Sequence, residues 1–325
     1  MPLVMNGESK LKTVLIGSSG TSNAFSSVLS LRRNWNGNVK IVAVDSNPRN
    51  LVTSSLLCDK FYQVPETCKP EFRDAITQII KEENVDTYIP FIDEEIFVLA
   101  LLCEENIINR KLCLQVKDPE IADLCNDKLK TYEWLSEMNI LTPESFRLNP
   151  AIVGDGQYVI KRRRGFGSRI IRLSDVKENL TQYSPDDFII QYECEKPEIT
   201  IDVCFNQKRS FFSYICRERI ETKGGVCTRA RLFYDESLEK TAYTIADKLS
   251  LNSFCFQVMN YKGDWAVTDI NARPGAGTGM SVAAGMDFFS AMFAILWDED
   301  PAQYIRPLKK ETFVTRQYSD FIMNI

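Results

Sequence analysis

Between Trp265 and Gly285 the sequence reads WAVTDINARPGAGTGMSVAAG, which sets an acid, an amide and an arginine directly ahead of a glycine-rich turn. Residues 265–271 alternate in the manner of a strand, so Asp269 and Asn271, two apart, point to the same face of a sheet. Two hard oxygen donors side by side suit magnesium shared with phosphate oxygens better than they suit a soft metal. Arg273 follows on that face, where a planar guanidinium can hold a phosphoryl or acyl-phosphate group bidentately. Upstream, FCFQVMNYKGDW reads as a strand, a Lys-Gly-Asp turn and the strand just described, which makes a hairpin. Across such a pair Gln257 lies opposite Asp269 and Asn271, so that three oxygen-bearing side chains converge. The plainer alternative is a polar strand end running into a turn.

A second stretch, QYVIKRRRGFGSRIIRL, ends one strand in Lys161 and turns through Arg164, Gly165, Phe166, Gly167 and Ser168 into the next. Glycines there let backbone N–H groups approach phosphate oxygens while the flanking cations neutralise them. Six basic residues between Lys161 and Arg172 also fit a nucleic-acid patch, but a net charge of −5 and a single aromatic in the turn speak against it. Further on, FIIQYECEKPEITIDVCF gives two strands joined by Glu193 to Pro197, with Glu198 opening the second. SFFSYICRERIETKGGVCTRARLF then gives a strand, a basic loop carrying Arg219, Lys223, Gly224 and Gly225, and another strand. Such a loop is expected to close over an anionic intermediate, with a solvated hairpin tip as the alternative.

The elements that must position these residues begin with KTVLIG, the turn SSGTSN and a helix to about Arg33, a βα unit that VKIVAVDSNPRN starts again. KFYQVP, a helix from about Glu71 to Asn84, the strand VDTYIPF and the acidic turn IDEE continue the alternation, which implies a parallel sheet. Asp93, Glu94 and Glu95 lie just beyond a strand's carboxyl end, where open sheets of this kind bind ligands, although acids also favour the first turn of any helix. Asp45 holds the strand-end position that meets a ribose in dinucleotide folds. GSSGTSN, however, lacks a G-x-G-x-x-G, which favours a packing turn. From Asp118 the chain is helical until Thr142-Pro143 stops it. From Asp287 an apolar helix leads into a polar tail.

A chain of 325 residues with 44% apolar and 26% charged residues is expected to form about two domains around a substantial core. There is no span-length apolar run and no signal-peptide pattern at the amino terminus, so a cytoplasmic protein is expected, with neither membrane nor nucleic acid as partner. The ten cysteines are scattered singly, the spacing of reduced, partly buried thiols rather than of staples. The absence of histidine removes Ser-His-Asp and Cys-His catalysis and His-ligated zinc. What remains is chemistry by carboxylates, lysines, arginines and bound metal.

Taken in order, these segments resemble the ATP-grasp superfamily, and most of all its carbamoyl-phosphate-synthase-like branch. DKLKTYEWL is similar to its entry segment, K-R-R-R-G-F-G-S to its glycine-rich lid, and Gln257 facing D-I-N-A-R to its metal hairpin, with Asp269 standing where glutamate is usual. The resemblance implies an α/β plus α+β architecture. An amino-terminal parallel-sheet domain over residues 1–117 would be followed by an ATP-grasp domain over 118–325, with a small lid at about 152–191 and a carboxyl-terminal antiparallel sheet. It implies ATP and Mg2+, with Mn2+ as the alternative ion. Lys128, Lys161, Gly165, Gly167 and Ser168 would lie on the phosphates, Gln191, Tyr192 and Glu193 along the adenine, and Glu198 on the ribose. Gln257, Asp269 and Asn271 would hold the metal; Arg273, with Arg219 and Lys223, would face the acyl phosphate. The implied activity is ATP-dependent, ADP-forming ligation of a small-molecule carboxylate to an amine, in an enzyme that could pair as a homodimer. Two other classes compete: a nucleotide-binding regulatory module without turnover, and an NAD(P)-dependent oxidoreductase built on the first domain.

Overall fold

The computed structural model describes residues 11–109, 118–149, 157–165, 171–172, 180 and 182–323. The first third alternates strand and helix: β1 (Lys12–Ile16), α1 (Ser22–Trp35), β2 (Val39–Asp45), β3 (Lys60–Gln63), α2 (Glu71–Glu82), β4 (Thr87–Ile89) and α3 (Asp93–Glu104). The strands form a parallel sheet in the order β3-β2-β1-β4. β1 and β2 are nearly continuous apolar runs because both their faces are covered. On one face Leu15, Val42, Val44 and Tyr88 meet Phe72, Ile76 and Ile80 of α2 and Leu99 and Leu102 of α3. On the other, Val14, Ile16 and Ile41 meet Ala24, Val28 and Leu31 of α1.

Two helices, α4 (Pro119–Asn126) and α5 (Lys128–Glu137), abut at Asp127, whose side chain caps α5 by accepting from the amides of Leu129 and Lys130. A small sheet follows, built from β5 (Ser145–Arg147), β6 (Tyr158–Arg162), β7 (Ile171–Arg172) and β8 (Phe188–Tyr192) in the order β5-β8-β6-β7. Its own core is Leu148, Ile160, Leu180 and Ile190.

A larger sheet takes β9 (Glu195–Asn206), β10 (Phe211–Lys223), β11 (Val226–Phe233), β12 (Ser253–Tyr261) and β13 (Asp264–Asn271), with α6 (Glu236–Leu249) between β11 and β12. Lys262-Gly263 and Gly224-Gly225 close two of its hairpins, and all four residues have positive φ, as a two-residue type I′ turn demands. Ile199, Ile201, Val203, Phe254, Phe256 and Ile270 form the buried face, against Leu238, Ala242 and Ile245 of α6.

After β13 come α7 (Thr278–Ala283), α8 (Phe288–Leu296) and β14 (Thr312–Thr315). β14 pairs antiparallel with β11, completing a six-stranded antiparallel sheet in the order β13-β12-β9-β10-β11-β14, a strand that the polar tail did not announce. α8 is apolar all round because it is buried all round. Phe289, Met292 and Phe293 pack on the parallel sheet, while Phe288 and Ala291 pack on Cys204, Ile215 and Leu232 of the six-stranded one. One helix thus joins both halves of the chain.

Two sequence expectations change. Arg219 and Lys223 are not loop residues but belong to β10, and the turn is only Gly224-Gly225. β9 starts at Glu195, so the connection after β8 is two residues rather than five. The nine cysteines among the described residues are all free, six of them buried, as the scattered spacing indicated.

Candidate active site

Ladder register places Gln257, Asp269, Asn271 and Glu198 on one face of the six-stranded sheet. Gln257 pairs directly with Asp269 and, on its other side, with Thr200; Cys255 pairs with Asn271 and with Asp202. Thr200 pairs in turn with Arg217. Because side chains alternate along each strand, Asn271, Asp269, Gln257, Thr200, Asp202, Glu198 and Arg217 share the face opposite the Phe254–Ile270 core. The phase of β13 depends on an irregularity. Val258 pairs with Val267 while Gln257 pairs with Asp269, so Thr268 is an extra residue, its hydroxyl donating to the Gln257 carbonyl at 3.3 Å. Trp265 and Val267 belong with the buried core. Unbroken alternation would have sent Asp269 and Asn271 the same way, and the bulge turns both to the open face.

At the end of β13, Arg273 is 8% exposed. Its Nη2 donates to Asp93 Oδ2 at 2.9 Å and to Asn271 Oδ1 at 3.4 Å. Burial disfavours its charge, but Asp93 more than offsets this and holds the guanidinium above its ordinary range. Asp93 is the first residue of α3, so this ion pair ties the parallel-sheet half to the end of the β12–β13 hairpin. Arg273 Nε is buried without a hydrogen-bond partner among the described residues.

The small sheet faces this surface with its other side. Lys161 pairs with Ile189 and Gln191 with Val159, so Lys161 and Gln191 are diagonal neighbours on the side away from Ile160 and Ile190. Lys161 Nζ donates to Gln191 Oε1 at 2.5 Å, and Gln191 Nε2 donates to Ser145 Oγ at 3.0 Å. Burial lowers the Lys161 pKa, and the nearby carboxylates of Asp269 and Glu198 only partly compensate. Tyr192, Glu193 and Cys194 join Lys161, Gln191, Tyr158 and Met259 around a cleft of about 730 Å³. The backbone amides of Tyr192 and Glu193 already donate to the carbonyls of Glu144 and Gln157, so neither is available to a base in that cleft.

The basic turn is anchored. Arg163 and Arg164 both pair with Asp127, and Arg164 also with Asp123, while Arg172 pairs with Glu193. Lys128, at the start of α5, donates from Nζ to the Gly165 carbonyl at 3.0 Å, and Gly165 has φ +86°. Gly167 and Ser168 lie outside the described residues.

Glu198 and Arg219, assigned separate tasks from the sequence, form an ion pair through Arg219 Nη1, and Arg219 Nη2 donates to the Gly225 carbonyl at 2.7 Å. Lys223 is exposed at the far end of β10, away from the ladder positions that carry the others. Sequence reasoning missed Asp202 and Arg217, both at most 2% exposed. The signal was two charges at strand positions that alternation assigns to the site face. In the parallel-sheet half, a second cleft of about 560 Å³ opens beyond the carboxyl ends of β1–β3, lined among others by Ser18, Thr21, Asp45, Asn47, Glu94 and Glu95. Asp45 accepts from Gly20 N at 2.6 Å, within the GSSGTSN turn, and from Asn47 N at 2.9 Å.

A small four-stranded sheet bearing a lysine, beside an antiparallel sheet that presents D-x-N-x-R opposite a glutamine, is the architecture of an ATP-grasp protein. Sequence comparison agrees: residues 125–277 match the model of the ATP-grasp domain and residues 14–110 that of the PylC-like, N-terminal domain. The chain thus carries an ATP-grasp domain over residues 125–277. Among solved structures, the L-amino acid ligase from Bacillus licheniformis is similar with a TM-score of 0.70 at 14% identity, over 91% of this chain and 77% of that one. N5-carboxyaminoimidazole ribonucleotide synthetase from Thermotoga maritima gives 0.66 at 16% identity, over 89% and 76%. Phosphoribosylglycinamide synthetase from Anaerococcus prevotii gives 0.64 at 17%, over 90% and 76%. At these identities the likeness concerns the fold. No curated protein matches the sequence significantly. No helix among the described residues is long and apolar enough to cross a membrane.

Proposed function

We propose that the protein is an ATP-dependent carboxylate–amine ligase that releases ADP, working on small molecules in the cytoplasm, with residues 118–325 as its ATP-grasp domain. The observation that carries this reading is the single sheet face on which Gln257, Asp269 and Asn271 meet across paired strands, together with the small sheet that carries Lys161 on the side away from its own core.

The donor set fits magnesium or manganese shared with a nucleotide. One carboxylate and two amide oxygens are hard ligands, and a single acid leaves most of the coordination to phosphate and water. No group of three or more His, Cys, Asp or Glu side chains among the described residues forms a cage of its own, which also suits an ion that arrives with its phosphates. When bound, the metal would neutralise charge on the β- and γ-phosphates.

The chain's own residues supply position and charge. Lys161, held by a neutral amide and paired with no carboxylate among the described residues, keeps a cation for a phosphate. Lys128 fixes the Gly165 carbonyl and with it the near end of the phosphate turn. Gln191, Tyr192 and Glu193 wall the base cleft, whose edge is read by backbone groups other than the two engaged amides. Glu198 accepts from ribose hydroxyls while Arg219 orients it, so Arg219 serves the nucleotide rather than the intermediate, and Lys223 has no part in the site. The substrate carboxylate attacks the γ-phosphorus and the bond to the β-phosphate oxygen breaks to give ADP; the amine then attacks the acyl carbon of the acyl phosphate, and inorganic phosphate and a proton leave as the C–N bond forms. Arg273, with Nη2 on Asp93 and Nε open, holds an oxygen of that intermediate. Such chemistry is mostly orientation and charge neutralisation, within reach of a histidine-free site.

The test is ADP release with ATP, Mg2+ and a panel of amino acids and other small carboxylates and amines. Release that requires a carboxylate and an amine together supports the ligase. ATP binding without release under any pair points to a regulatory module, and nicotinamide-cofactor binding without ATP binding to an oxidoreductase.

A further inference from the structure

Asp202 and Arg217 form a bidentate ion pair, Nε to Oδ2 at 3.2 Å and Nη2 to Oδ1 at 3.1 Å, with both side chains 2% exposed. Neither can touch a substrate. The remaining lone pairs of Asp202 are taken by α7, into which the glycine-rich turn after Arg273 leads: Thr278 Oγ donates to Oδ1 at 2.8 Å and Ser281 Oγ to Oδ2 at 2.7 Å. Pro274 to Gly277 pass directly over the guanidinium. A Cβ on Gly277 would overlap Arg217, and one on Gly275 would come within 3.7 Å of Nη2 and 3.0 Å of Cys255 Sγ. Neither glycine has a positive φ, so these positions are glycine for closeness and not for backbone freedom.

The same turn is gripped from two further elements. Asn23 of α1 donates to the Pro274 carbonyl at 3.1 Å, and Arg316, just beyond β14, donates to the Ala276 carbonyl at 3.0 Å. Removing one partner of a buried, fully hydrogen-bonded pair leaves an uncompensated charge, whereas apolar residues of similar volume could fill the space at no loss of stability. A buried charge pair whose spare lone pairs all go to one short helix, the one that the glycine-rich turn opens, therefore has a geometric task.

Resting on the ligase reading, we propose that Asp202 and Arg217 are positioning residues that set the 274–281 turn, and through it Arg273, at the distance from the metal-type hairpin that phosphoryl and acyl transfer need. They act through Thr278 and Ser281. Nucleotide affinity, governed from the small sheet and Glu198, does not depend on them.

Thr278→Val removes one donor to Asp202 while leaving the ion pair and the side-chain shape; Thr278→Ser keeps the donor; Gly277→Ala pushes the turn off Arg217. In Thr278→Val and Gly277→Ala, kcat for ADP release should fall about 10-fold or more, the scale of a sub-ångström misplacement. KM for ATP should stay within about 2-fold, and Thr278→Ser should behave as wild type. Amide exchange at Thr278 and Met280, which donate to Gly275 and Gly277 carbonyls, should accelerate about 10-fold in Thr278→Val and not in Thr278→Ser, with β12 and β13 unchanged. Unchanged exchange and turnover in both damaging variants would overturn the proposal. So would a parallel loss of ATP affinity, which marks a general loosening. The exchange comparison needs no substrate: wild-type protein that releases no ADP with any pair defeats the ligase reading, while exchange still decides whether the pair sets the turn.

Discussion

Glu95 gives a stability prediction whose sign and size follow from its surroundings. It is 1% exposed, and its carboxyl accepts from Ser18 Oγ at 2.6 Å and from the Tyr88 hydroxyl. Burial pushes its pKa from an ordinary 4.5 up to about 7, with Asp45 adding to the rise and the Ser18 and Tyr88 hydroxyls opposing it. The folded protein therefore holds a proton that the unfolded chain releases, so this group's contribution is fully present below pH 4.5 and is lost as pH rises through about 7. The gap corresponds to roughly 3 kcal/mol between the two limits. Glu95→Gln keeps the shape and cannot ionise. Urea unfolding followed at pH 5 and pH 8.5 should find the variant close to wild type at the lower pH and more stable by about 3 kcal/mol at the higher. A difference between variant and wild type that is the same at both values would refute the reasoning, because a carboxyl ionised throughout the range, or neutral throughout it, gives no slope.

Two further predictions concern the nucleotide. Lys161→Ala removes a phosphate cation that no carboxylate of the described residues neutralises, and ATP affinity measured by calorimetry should fall by roughly 1.5–3 kcal/mol, about 10- to 150-fold in Kd; wild-type affinity would remove Lys161 from the site. Glu198→Ala should weaken ATP by a similar amount, roughly 1.5–3 kcal/mol, and Arg219→Ala by less, since it only releases Glu198 from its ion pair. Arg219→Ala that spares ATP binding but abolishes turnover would return Arg219 to the intermediate.

The fold was legible where local pattern dictates structure. The βα alternation of the first third, the positions of Gln257, Asp269 and Asn271 on a hairpin, and Lys161 near a strand end all follow from period and turn chemistry. What was not legible is non-local. The Thr268 bulge shows only when β13 is laid against β12. α8 reads as a featureless apolar helix until two sheets are seen to cover it. The Arg219–Glu198 and Arg273–Asp93 pairs join residues 21 and 180 positions apart, and pairing of that kind leaves no mark in either segment. Gly224-Gly225 was ambiguous between mobile loop and hairpin turn, and the positive φ of both residues resolves it as a turn.

The central claim is that the Gln257–Asp269–Asn271 face carries phosphoryl transfer. Asp269→Asn retains size and shape while removing the only carboxylate of the three, so the adenine and ribose contacts should survive. Interactions made mainly in the transition state change turnover more than binding. The decisive measurement is Mg2+-dependent ADP release with an active carboxylate and amine pair, alongside ATP binding by the same variant. The account predicts a loss in turnover of about 100-fold or more, with ATP affinity falling far less; an Asp269→Asn protein that releases ADP at the wild-type rate would contradict it.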